Sequence, residues 1–132
     1  MDNNGFFMDD RMISKNDNVI EDFDLDRLLR TDYWGLEMFN GTWTHKSFRP
    51  ATVLTFRWNY LLHGFESSGF HITNLVLHFV ASALLGLVAH CTLDIPRAPS
   101  LLLTSLFFCH PVHSENVLYI VGRADILCQG LL

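Results

Sequence analysis

Between Glu66 and Asp94 the chain carries no Asp, Glu, Lys or Arg, and the centre of this stretch, Phe70 to Cys91, reads FHITNLVLHFVASALLGLVAHC. At about 1.5 Å of rise per residue, the uncharged run from Ser67 to Leu93 extends roughly 40 Å as a helix, enough to cross a hydrocarbon core of about 30 Å with tilt. The sequence therefore predicts a transmembrane helix over 70–92. Residues 1–66 hold 18 of the 23 charged side chains, and only Asp94, Arg97, Glu115, Arg123 and Asp125 lie beyond them. A polar half is thus joined to a half suited to lipid or to a very apolar partner. The alternative is a soluble domain with 70–91 as its buried central helix, although a core helix of that length is unusual in 132 residues.

The net charge of −5 argues against a nucleic-acid partner, which calls for a basic patch to meet phosphate. Cys91, Cys109 and Cys128 fall in or beside apolar runs without CxxC spacing, so they read as small buried hydrophobes rather than a disulfide frame or zinc site. MDNNGFFMDDRM lacks the basic start and apolar core of a signal peptide, and ADILCQGLL stops inside an apolar run; both lead to the expectation of a fragment or truncated gene model.

Taken in order, the acidic N-terminal stretch predicts loops and one short helix. Asp24 is placed to cap that helix at Leu25, Arg27 and Arg30 suit its C-terminal carbonyls, and Thr31 with Asp32 close it. Residues 32–50 mix Tyr33, Trp34, Phe39, Trp43 and Phe48 with glycines, a composition suited to lying at headgroup level. Asn40-Gly41-Thr42 is a glycosylation sequon, meaningful only on a luminal face. From Thr52 to His63, Leu54, Trp58 and Leu61 recur at helical spacing, with Val53, Phe56 and Tyr60 widening that face and Thr55, Arg57, Asn59 and His63 opposite. This predicts an amphipathic interfacial helix stopped at Gly64.

Within the span, Ser67, His71, Asn74, His78, Ser82 and Gly86 follow steps of three or four and form one stripe. It is either a helix-packing seam or a substrate groove lined by His71, Asn74 and His78. After a 93–97 loop, expected on the cytosolic side, 98–110 predicts a short returning transmembrane helix. HPVHSE at 110–115 breaks the apolar run, with 111–115 as a luminal turn, and 116–132 reads as the start of a further span containing Arg123 and Asp125. Those two residues are costly in lipid unless paired, which makes a salt bridge the default reading. His110, His113 and Glu115 invite a metal, but the spacing is not HExxH and Pro111 interrupts it.

MDDRMISKNDNV, LLRTDYWG, HKSFRPATVLTFRWNYLLHG, GFHITNLVLH and FFCHPVHSENVLYIVGRADIL, in that order, resemble the N-terminal membrane region of the transmembrane O-mannosyltransferases targeting cadherins, the TMTC family. The resemblance implies an all-α, polytopic membrane fold of the C-type glycosyltransferases (GT-C) in the endoplasmic reticulum, with residues 1–69 as a luminal loop bearing short amphipathic helices. It implies transfer of mannose from dolichyl phosphate mannose to Ser or Thr of a secretory-pathway acceptor such as a cadherin-like domain, with no cofactor and no metal. Asp9 and Asp10 match the family's Asp-Asp, one of them being the base for the acceptor hydroxyl. Lys46, Arg49, His110, His113 and Arg123 match its basic positions and are assigned to the donor phosphate. The family's first transmembrane helix belongs before Phe6 and its tetratricopeptide repeats follow the membrane region, so this chain is expected to be inert alone. A non-enzymatic adaptor or chaperone subunit of the same membrane is the alternative function.

Overall fold

A computed structural model describes residues 10–39, 43–44 and 46–131. Its regular structure there is helical: α1 (Asp10–Ile13), α2 (Asp17–Ile20), α3 (Leu25–Arg30), α4 (Pro50–His63), α5 (Ser67–Cys91), α6 (Arg97–Cys109), α7 (Ser114–Leu118) and α8 (Arg123–Leu131), with 3₁₀ turns at Pro111–His113 and Ile120–Gly122. A lone antiparallel bridge joins Thr31 to Glu37. Internal contacts divide the chain into two units, one ending at Phe70 and the other beginning at His71.

In the first unit, the carboxylate of Asp24 accepts from the backbone N–H groups of Asp26 and Arg27, starting α3 at the expected residue. Pro50 opens α4, where its missing N–H costs nothing, and Gly64, at φ 62°, ends it. α2 packs against α4, with Val19 of the one and Val53 and Phe56 of the other buried, and Tyr33 and Phe70 lie beside Phe56 at centroid distances of 6.0 and 6.3 Å. The buried face of α4 is thus Thr52, Val53, Phe56 and Asn59. Trp58, Leu61 and Leu62 lie exposed on another side, so the apolar residues expected on one face are divided between two. Asn59, expected outside, is buried because its amide donates to the Gly69 carbonyl at 3.1 Å. Arg57 donates to the carbonyls of Asn18 and Glu21 at the end of α2, where a helix leaves acceptors unused.

Polar side chains shape the turn after α3. Asp32 Oδ1 accepts from the N–H groups of Trp34 (2.9 Å) and Leu36 (3.0 Å). Asn16 donates to the Tyr33 carbonyl, and Asn18 to Thr31 Oγ1. Gly35 is required there, since its φ is 86° and a Cβ would sit 2.8 Å from Asn16 Oδ1.

In the second unit α5 dominates. It has 25 residues, is long and apolar enough to cross a membrane, and buries only a third of its most apolar stretch. Leu75, Val76, Phe79, Leu84, Leu87 and Val88 point outward, while the stripe of Asn74, His78, Ser82 and Gly86 is buried. That is the packing-seam geometry. The seam runs antiparallel to α6, with His78 against Phe107 and Phe108 at one end and Gly86 against Ser100 and Thr104 at the other. Ser100 donates its hydroxyl to the Gly86 carbonyl. α6 has 13 residues, about 20 Å, so it is shorter than a full crossing. The stretch from 116 does not continue as one helix; it breaks at Tyr119, whose φ and ψ are −88° and 129°. The cysteines correct the expectation of burial: all three are free and exposed, their side chains falling on the outward side of their helices.

A Cβ at Gly86 would fall 1.9 Å from Thr104 Oγ1. Gly86→Ala is expected to destabilise the α5–α6 pair by about 1–3 kcal/mol, and adding Thr104→Ala to recover part of that loss. Thermal melting in detergent, followed by circular dichroism, measures both; a double variant no better than the single removes the close-approach argument.

Candidate functional site

Six of the eight residues singled out above fall within the described structure; Asp9 and Asn40 lie outside it. Three belong to the first unit. Asp10 opens α1 and is 1% exposed. Lys46 is exposed, with φ 50° and its N–H donating to Thr44 Oγ1 at 3.0 Å. Arg49 precedes α4, with its guanidinium 5.6 Å from the centre of the Tyr33 ring, a cation–π contact.

The other three belong to the second unit. Pro111 fixes the backbone just after α6 and begins the 3₁₀ turn; His110 caps that turn, Nδ1 accepting from the Val112 N–H at 3.2 Å. One turn on, His113 comes back against the end of α6, 4.3 Å from Phe107 and 6.2 Å from His110 by ring centroid. The two histidines therefore share one cleft of about 330 Å³, also lined by Leu75, His78, Phe108, Cys109, Ser114 and Val117. Burial first, then the neighbouring His78 and His110, hold the His113 pKa below its usual value.

Arg123 is fully buried. Its Nε donates to Asn74 Oδ1 at 2.7 Å, and the Asn74 amide donates in turn to the Tyr119 carbonyl at 3.1 Å. Asn74 and His78 stand one turn apart on α5, so Arg123 and the histidine cleft are ordered by adjacent positions of one helix. Arg123 thus has an amide acceptor inside the protein, while Asp125 is exposed. Gly122 permits the arrangement, because a Cβ there would lie 2.7 Å from Asn116 Cα and O.

His78 is the functional candidate that a motif search leaves aside. The signal for it was the polar stripe on α5, which offered both a seam and a groove. His78 serves both: its ring packs on Phe108 and also lines the cleft. Among the described residues, no group of three His, Cys, Asp or Glu is arranged to hold a metal ion. What the cleft offers chemically is imidazole at a polar break between apolar helices.

No protein-family model matches the chain, and no solved structure does. Among curated proteins it is 42% identical over 139 residues to protein O-mannosyl-transferase TMTC4 of Mus musculus, a match covering 92% of this chain and 18% of that protein. It is 44% identical over 125 residues to protein O-mannosyl-transferase Tmtc1 of Drosophila melanogaster, covering 94% and 14%. With protein O-mannosyl-transferase TMTC3 of Homo sapiens it shares 39% over 124 residues, covering 93% and 13%. The chain spans less than a fifth of the length of these relatives.

Two outcomes follow from the geometry. A depressed His113 pKa means the unfolded chain binds more protons than the folded one below about pH 6.5. The contribution of His113 to stability is then complete above that pH and lost as pH falls toward the folded pKa; His113→Gln should flatten that part of a melting profile measured from pH 5 to 7.5. Asn74→Ala removes an acceptor from the buried Arg123 and the donor to the Tyr119 carbonyl, and should cost about 1–3 kcal/mol. Asn74→Asp, which keeps the acceptor, should cost less.

Proposed function

As a homologue of the TMTC-family protein O-mannosyl-transferases over some nine-tenths of its length, this chain is, we propose, part of a multi-pass GT-C enzyme of the endoplasmic reticulum membrane. That enzyme transfers mannose from dolichyl phosphate mannose to Ser or Thr of a secretory-pathway protein, cadherin-like domains among its acceptors. Sequence identity near 40% across nearly the whole chain carries the reading. The helix able to cross a membrane, with an imidazole cleft at the end of its partner α6, is consistent with it.

In this reading a carboxylate of the acidic pair, Asp9 or Asp10, takes the proton of the acceptor hydroxyl as its oxygen attacks the anomeric carbon of mannose. The bond from that carbon to the phosphate oxygen breaks, and the leaving dolichyl phosphate collects negative charge. Lys46, Arg49, His110, His113 and Arg123 are the groups proposed to stabilise that charge. Arg123, tied to Asn74, acts from a fixed position, whereas exposed Lys46 has room to move onto its ligand. The near-complete burial of Asp10 favours Asp9 as the base. It also supports a second reading, a non-enzymatic membrane adaptor in which the acidic pair only holds the loop.

The test is mannosyl transfer in microsomes by the full-length protein that carries this segment, with radiolabelled dolichyl phosphate mannose and a Ser/Thr-rich acceptor. Asp9→Asn should lower transfer by roughly 10²–10⁴-fold at unchanged protein level, with glycosylation at Asn40 reporting luminal placement of the loop. Asp10→Asn should act mainly through protein abundance. Full transfer by the double variant would remove the acidic pair as the base, and no transfer by the wild type would favour the adaptor reading.

A further inference from the structure

The histidine cleft contains a group outside the proposed donor-phosphate set. His78 is 2% exposed, its ring lies 5.3 Å from that of Phe108 at an interplanar angle of 16°, and 5.1 Å from that of His113. Its Nε2 stands 3.2 Å from the Phe108 carbonyl oxygen. That oxygen can only accept, so Nε2 carries the hydrogen. In the neutral ring Nδ1 is then a bare acceptor, and it is buried without a partner among the described residues. A buried acceptor left open in this way calls for a donor.

The groups around it narrow what that donor is. His110 and His113 come from the turn, the Cys109 thiol from the end of α6 and the Ser114 hydroxyl from α7; among the described residues, no carboxylate, lysine or arginine lines the cleft. Ser114 already donates its hydroxyl to the Pro111 carbonyl at 2.6 Å. His113 is the ring beside His78 whose protonation is opposed by burial and by its two histidine neighbours. An anion entering the cleft reverses that balance and draws a proton from solvent onto His113.

We propose that His78 is a positioning residue for a phosphate head group bound in this cleft, its Nδ1 accepting a hydrogen bond from the His113 imidazolium so that anion binding and uptake of one proton occur together. The inference rests on the assignment of His110 and His113 to phosphate, but not on mannosyl transfer. His78 thereby turns one face of His113 toward itself and leaves the other N–H for the phosphate oxygen. The same pairing gives the otherwise unsatisfied Nδ1 its partner only when ligand is present.

The experiment uses the whole 132-residue chain in lipid nanodiscs, with ¹⁵N-labelled histidine, and citronellyl phosphate or inorganic phosphate as probe. Nitrogen shifts of the wild type should report a His78 ring with hydrogen on Nε2 and a bare Nδ1. Citronellyl phosphate should raise the His113 titration midpoint by about one pH unit, so that affinity falls about tenfold in total as pH rises from the free to the bound midpoint. His78→Phe, which keeps the ring packing, should lose most of the rise, and His78→Asn, whose amide oxygen can stand where Nδ1 stands, should restore it. A rise confined to citronellyl phosphate assigns the site to a lipid-borne phosphate; an equal rise with inorganic phosphate assigns it to phosphate alone, and either supports the shared proton. Hydrogen on Nδ1 of His78, no binding by the wild type, or an undiminished rise in His78→Phe overturns the proposal. A chain that binds the probe while the full-length protein fails to transfer mannose leaves this inference standing and removes the enzymatic reading.

Discussion

The apolar half of the chain depends on the side-chain amide of Asn74. A guanidinium buried as completely as that of Arg123 must find acceptors inside the protein, and Asn74 supplies one while using its own N–H to satisfy the Tyr119 carbonyl. That carbonyl is available because the helix breaks at Tyr119. The break, the amide and the cation therefore form a single arrangement in which each feature removes the cost of another. Gly122 sets how closely its two sides can approach, since any side chain there would collide with Asn116. This gives a physical reason for the glycine beside the arginine in GRAD.

The polar half solves its backbone problem by similar means. Where residues 31–37 make neither helix nor sheet beyond a single bridge, Asp32, Asn16 and Asn18 supply the hydrogen bonds that regular structure would have provided. Such side-chain ties allow a short, irregular segment to hold Tyr33 against Phe56 without a large apolar core.

Elements controlled by local chemistry were readable from the sequence. Asp24 starts α3 and Gly64 ends α4 because a capping carboxylate and a left-handed residue act on backbone groups a few positions away. The long apolar run likewise becomes α5. Facing was less readable where a helix has more than one kind of neighbour. Periodicity placed Trp58 and Phe56 on one broad face of α4, yet Phe56 packs inward and Trp58 outward, because packing of α2 selects a narrower stripe than composition suggests. The burial expected of the cysteines fails for a related reason: an apolar sequence neighbourhood does not say whether a side chain faces in or out. In the site, HPVHSE was visible as a motif, but the contribution of His78 requires the antiparallel register of α5 and α6, which spacing along the chain does not specify.

The shortness of α6 has a consequence for the bilayer itself. With 13 residues beside a neighbour of 25, α6 in a membrane is hydrophobically mismatched by roughly 10 Å relative to a hydrocarbon core of about 30 Å. Such a deficit is met by local thinning, with water and head groups following the short helix inward. In the proposed membrane enzyme, the polar turn from His110 to Ser114 would stand where that dimple forms. A lipid-borne phosphate would then reach the cleft by sideways diffusion along the leaflet, without leaving the membrane to find it.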